Sequence, residues 1–178
     1  WIPDAETPYR VEHYFERADK DGYSLSSFED RQGETNTSLD IRTLAKEDAV
    51  GMSFAKATVN AEEAEMAAIL ADGTLVIKLY YKRNLYNVNF DTKGAAAMQA
   101  IPVAYGKKIV KPETEPTKQG YVFAGWYMDE AYTDAVNFTS DKMPANEITL
   151  YAKWDPADGV AYKVEHYLAE LDGTYTKY

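Results

Sequence analysis

Cysteine is absent from all 178 residues, which removes disulfide staples, thiolate nucleophiles and cysteine-held metal at once. Histidine is scarce: His13 and His166 are the only two, too few to build a transition-metal site within a small module. No apolar run reaches the roughly 18 residues of a membrane-spanning helix, and no basic-then-apolar leader opens the sequence. Membrane insertion is therefore not expected, and any export signal or anchor is expected outside this segment. Basic clusters are missing as well. Lys and Arg number 19 against 29 Asp and Glu, a net charge of −10, with the acid concentrated in residues 1–84. A surface of that sign repels phosphate backbones, so nucleic acid is not an expected partner.

What is present can fold. Hydrophobic residues make up 46% and aromatics 13%, with 15 tyrosines, enough to bury real cores. The strongest pattern is a repeat. Trp1 followed by Tyr9-Arg10-Val11-Glu12-His13-Tyr14 returns as Trp154 followed by Tyr162-Lys163-Val164-Glu165-His166-Tyr167, each shifted by 153 residues. The intervening segments, Ile2 to Pro8 and Asp155 to Ala161, are equal in length and share a proline near the start, Pro3 and Pro156. A period so much longer than a solenoid unit implies whole domains strung as beads. The divisions read as a linker at 1–8, a domain at 9–84, a second at 85–154, a linker at 155–161 and the start of the next copy at 162–178.

Alternation supplies the strands. Tyr9, Val11, His13 and Phe15 share one face of a half-buried strand; Leu75, Ile77, Leu79 and Tyr81 share one face of another, after an Asp72-Gly73 turn. Tyr86, Val88 and Phe90 open the second module, and Ile148, Leu150, Ala152 and Trp154 close it. Between them, Gly120-Tyr121-Val122-Phe123-Ala124-Gly125-Trp126-Tyr127 combines glycines that permit close backbone approach with aromatics that can fill a small core. Helix-forming composition predicts helices over Leu39 to Asp48 and Ala61 to Leu70, the second with Asn60 as N-cap and Glu62, Glu63 and Glu65 in its first turns.

On these residues the stretch from Tyr86 to Trp154 resembles the Listeria-Bacteroides repeat, of the internalin B-repeat type. The resemblance rests on Tyr105-Gly106-Lys107, Pro116-Thr117, the 120–127 run, Val136-Asn137-Phe138 and Ile148-Thr149-Leu150-Tyr151-Ala152-Lys153-Trp154. Residues 9–83 are similar to mucin-binding-protein-like repeats, through the Val11-Glu12-His13-Tyr14 opening and the Leu79-Tyr80-Tyr81-Lys82-Arg83 close. Their middle departs from that pattern, with Val50-Gly51-Met52-Ser53-Phe54 where a Gly-rich centre is usual. The resemblance implies an α+β class, two tandem small β-grasp (ubiquitin-like) domains that are mostly β. It also implies display on a secreted or wall-anchored protein of a Gram-positive cell surface.

No catalytic residue, cofactor site or metal ligand is expected. His13 and His166 sit at equivalent apolar-face positions without a serine or carboxylate at a catalytic spacing, so they read as core residues. The acidic runs Asp19-Lys20-Asp21-Gly22 and Glu62-Glu63-Ala64-Glu65 lack the alternating oxygen ligands of a calcium loop, and Asp129-Glu130 with Asp134 reads as a solvated turn. Val11, His13, Leu79, Tyr121, Phe123, Trp126 and Trp154 are the expected structural core, and Tyr80 and Tyr151 are expected to brace cross-strand pairs. The expected role is that of a stalk or spacer of an adhesin, in contact with neighbouring repeats. The alternative is a module whose tyrosines stack on host mucin-type glycans or meet a host surface protein.

Overall fold

The computed structural model describes residues 4–47, 49–159, 161 and 163–178. Trp1 and Tyr162 of the repeat, and Asp48 at the end of the first expected helix, lie outside the described residues. Strands dominate. The first half holds β1 (Thr7–Glu16), β2 (Tyr23–Gly33), β3 (Ser38–Asp40), β4 (Met52–Val59), β5 (Glu62–Glu63), β6 (Met66–Ala68) and β7 (Val76–Arg83). The second half holds β8 (Leu85–Asp91), β9 (Ile101–Ala104), β10 (Tyr121–Tyr127) and β11 (Ile148–Pro156), and a short hairpin of β12 (Tyr167–Ala169) and β13 (Tyr175–Lys177) follows.

Both large sheets follow one scheme. The first runs β2-β1-β7-β4-β5 and the second β10-β11-β8-β9. In each, an opening hairpin (β1–β2, β8–β9) lies beside the last long strand, which pairs in parallel with the first: Arg10 with Val76 through Phe15 with Tyr81, and Val88 with Ile148 through Asp91 with Tyr151. The long middle strand then adds antiparallel to the last, β4 on β7 and β10 on β11. Each half therefore starts and ends with neighbouring central strands.

Two separate cores follow from the alternation. Val11, His13, Ile77, Leu79 and Tyr81 are wholly buried in the first, roofed by Ile41, Leu44, Ala67 and Ile69. Burying a Leu or Ile side chain this fully contributes about 1.5–3 kcal/mol. In the second, Val88, Leu150, Ala152, Ile109 and Met143 surround Trp126, which is 3% exposed. Phe123 and Trp154 are half-buried against that core, with Phe123 edge-on to both tryptophans. Tyr121 departs from expectation. It shares a face with Phe123 but pairs with Pro156, beyond Trp154, and so overhangs the end of the core with 44% of its surface exposed.

Neither expected helix forms, and the described residues hold no α-helix. Over 39–48 the chain finishes β3 and makes a single 3-10 turn, Ile41–Leu44, whose N-cap Asp40 accepts a hydrogen bond from the Arg42 amide. Ile41 and Leu44 are buried three residues apart, the spacing of a 3-10 turn, and Ala45 returns to extended backbone. Over 61–70, Asn60 (φ +51°) and Ala61 (φ +67°) form a two-residue hairpin turn between Val59 and Glu62, which face each other. Left-handed backbone at both central positions matches the twist of the flanking strands, and Asn60 is thus a turn residue instead of a cap. Beyond it Ala67 and Ile69 are buried while Met66, Ala68 and Leu70 are exposed, an alternation of two that pairs β6 with β3. A ten-residue helix is marginal on its own, and the strand pairing supplies what propensity cannot.

Residues 163–178 hold a short hairpin. Tyr167–Ala169 pairs with Tyr175–Lys177, and Val164, His166 and Leu168 are exposed. Their counterparts in β1 are covered by β7 and the roof above it.

Candidate functional site

Three places collect side chains that do more than fill a core. The first surrounds His13. The Lys46 amide donates to the Tyr81 hydroxyl at 2.9 Å, and that hydroxyl lies 2.9 Å from His13 Nδ1. A phenol already accepting from an amide is placed to donate its own proton, which suits a bare Nδ1 and a neutral ring. The other nitrogen, Nε2, faces Glu29 Oε1 at 3.5 Å, too long for a good hydrogen bond. The Glu29 carboxylate is held instead by the Arg31 guanidinium, at 2.6 and 3.1 Å, which keeps its pKa below the ordinary carboxylate range. Burial first, and then the Lys46 ammonium, push the His13 pKa below its usual value, against the opposing pull of Glu29. This is the electrostatics of a core histidine kept neutral.

A pH dependence follows. The unfolded chain takes up a proton on His13 near pH 6.5 while the folded chain resists it. The contribution to stability is thus complete above about pH 6.5 and is lost as pH falls from there toward the lowered folded pKa. Thermal melts at pH 7.5 and 5.5 should show a larger fall for the natural chain than for His13→Gln in the transition of the first sheet. Parallel slopes would mean that His13 does not titrate on unfolding.

The second place is the outer face of the first sheet. Tyr14 on β1 and Tyr80 on β7 stack with centroids 5.3 Å apart, and Tyr23 meets Tyr80 edge-on at 5.0 Å. Lys56 and Lys78 each stand 5.8 Å from a ring of the pair, and Glu12 accepts the Tyr14 hydroxyl at 2.9 Å, raising its pKa. Flat half-buried rings fringed by donors and acceptors can stack on a sugar face. The second sheet has its own open groove beside Pro116, Val122 and Trp154, where the Lys118 ammonium lies 4.6 Å from the Tyr121 ring. Tyr151 instead lies under Lys93, at 4.9 Å. Lys93 bridges Asp91 and Glu130, which raise its pKa.

The third place is the joint between the sheets. One residue, Asn84, separates β7 from β8. Its amide donates to the Gly51 carbonyl in the first half, and its carbonyl accepts from the Tyr105 amide in the second, both at 2.9 Å. Arg83 Nη1 donates to the Tyr105 carbonyl at 2.7 Å. The Tyr105 ring packs against the first core although its backbone belongs to the second half. It lies on Gly51, where a Cβ would come within 2.8 Å of three ring carbons. Gly106 and Met143 then tie this turn into the second core, through the Gly106 amide to the Met143 carbonyl at 2.8 Å.

Sequence alternation put Tyr14 and Tyr80 on outward positions and Tyr80 was expected in a cross-strand pair; that its partner is Tyr14 depends on the β1–β7 register. Tyr105 and Gly51 were noted as motif positions, but the local pattern did not bring them together, because they meet across the joint. Two of the acidic runs are engaged locally: Arg17 forks onto Asp19, and Asp129 accepts from the Thr133 and Asp134 amides; in the third, Glu65 meets Arg42 at 3.5 Å. Among the described residues no three His, Asp or Glu side chains converge to hold a metal.

Curated relatives match about two fifths to one half of the chain. A protein of Evansella cellulosilytica described as a Gly-rich membrane protein is 39% identical over 85 residues, 47% of this chain and 10% of the relative. A second membrane protein of that organism is 34% identical over 91 residues, 51% of this chain and 13% of the relative. Internalin H of Listeria monocytogenes is 39% identical over 69 residues, 39% of this chain and 12% of the relative. The matched region thus spans only about a tenth of the length of each of these curated relatives. Residues 86–153, β8 through most of β11, match the family model of the Listeria-Bacteroides repeat domain.

Proposed function

We propose that this chain is a non-enzymatic spacer segment of a bacterial cell-surface protein, built from two small β-grasp-like modules at 9–84 and 85–154 and displaying an adhesive region elsewhere in its parent. The single observation that carries the reading is the joint at Asn84, where backbone bonds to both sides and the seated Tyr105 ring couple one module to the next. A spacer needs such coupling, since a free linker lets successive modules fold back on one another. The family match at 86–153 and the relatives, two membrane proteins and an internalin, support surface display. Residual dipolar couplings test the reading: the two sheets should report one common alignment tensor. A markedly smaller tensor for either sheet would mean independent tumbling and would remove the basis for a spacer.

The stacked Tyr14 and Tyr80, with Tyr23 alongside, favour a second reading, in which the first module binds host mucin-type glycans. Its likeness to mucin-binding-protein-like repeats points the same way. A glycan array should then give a selective signal that Tyr80→Ala abolishes, whereas an array without hits, or hits that survive the substitution, argues for the spacer alone.

A further inference from the structure

The 153-residue period makes Asp4 and Ala157 the same place in two successive copies, and each shows one side of it. At 157 the preceding module is present: the Ala157 amide donates to the Gly120 carbonyl at 3.0 Å, just past the Tyr121–Pro156 pair that ends the sheet. At 4 the following module is present. The Asp4 carbonyl accepts from the Thr35 amide at 2.8 Å; the Thr7 and Thr35 hydroxyls, each 3.3 Å from it, form a buried pair in which one donates to the other and the second donates to the carbonyl. Superposed, the two views describe one residue whose N–H is held by the module before it and whose C=O is held by the module after it. That is the arrangement seen directly at Asn84.

We infer that the surface of the second module around Gly120 is an interface for a following copy of the opening module, clasped through this one residue, so that both joints of the period are tight. This extends the spacer reading from one joint to every joint. The linker is accounted for place by place. Asp155 and Pro156 belong to β11 of the preceding sheet, and Thr7 and Pro8 belong to β1 of the following one. With the 4/157 place bonded on both sides, only the 5/158 and 6/159 places remain, and both copies turn there. A free seven-residue linker would span about 13–16 Å root-mean-square; the clasp leaves two residues in a turn. The copies differ in detail, since Gly159 has φ +69° and the Asp4 carboxylate also accepts from the Glu6 amide, which an alanine cannot do. The 7/160 place differs too, because the valine at 160 has no hydroxyl, so the Thr7 contact belongs to the first copy alone; the clasp rests on the Ala157 amide and on the amide at the Thr35 place.

The test is a tandem polypeptide in which residues 1–153 are followed directly by 1–178, preserving the period. Residual dipolar couplings should give the 85–154 module of the first copy and the 9–84 module of the second one shared alignment tensor. Two glycines inserted after the inner Pro3 should reduce the tensor of the downstream modules at least twofold. A tensor already reduced in the uninterrupted tandem, or one that the insertion leaves unchanged, overturns the clasp. Either failure leaves the Asn84 joint standing, because its own alignment is read within each copy.

Discussion

Trp126→Ala should unfold the second sheet, at a loss of about 3–5 kcal/mol. Trp126 sits at the centre of that core, edge-on to Phe90 at 5.0 Å and to Phe123 at 5.4 Å. A module of about 70 residues buries too little surface to absorb such a cavity. The Trp126 Nε1 is buried without a hydrogen-bond partner among the described residues, which trims the net value of the side chain by an unmade bond but leaves its packing as the dominant effect. Calorimetry should show the transition of the second sheet lost or moved far down. The first sheet should melt slightly earlier, as it forfeits the Tyr105 ring. An unchanged thermogram would show that the core is organised around another residue.

Gly51→Val should both destabilise the first sheet and uncouple the two halves. Its backbone lies at φ +68°, a conformation that a β-branched residue adopts only at a cost of about 1–3 kcal/mol. The added Cβ also meets the Tyr105 ring, and the ring must leave its seat. Gly51→Asn separates the two effects, because asparagine tolerates left-handed backbone better yet still carries the colliding Cβ. Both variants should lose the common alignment of the two sheets, and Val should lower the melting temperature more than Asn. Retention of a single alignment tensor in both would show that Tyr105 does not set the joint.

The strands that bury one face were legible in the sequence because period-two alternation is a local property. Val11, His13, Ile77 and Leu79 announce their burial in this way, and so do Val88, Leu150 and Ala152. The two expected helices failed because composition reports what a segment prefers alone, and residues 61–70 are not alone: β6 finds β3 as its partner. The left-handed Asn60-Ala61 turn is hidden for the same reason, since alanine does not advertise it. Tyr121 was placed in the core by its neighbours in the motif, but its depth depends on where β11 ends beneath it. The joint residues were the least legible. Gly51 reads as an ordinary turn glycine until the ring that rests on it is supplied from a segment 54 positions later.

The parallel pairing of first and last strands has a mechanical meaning. The chain comes into the first sheet at the start of β1 and leaves its central pair at the end of β7, and these strands run side by side in the same direction across six paired positions. Tension transmitted along the polypeptide therefore pulls β1 and β7 past each other along their length. Their ladder is loaded in shear, with its hydrogen bonds strained together, whereas strands pulled apart from one end would give way bond by bond. The second sheet repeats the geometry with β8 and β11, so a pull along the chain meets both ladders in their resistant direction.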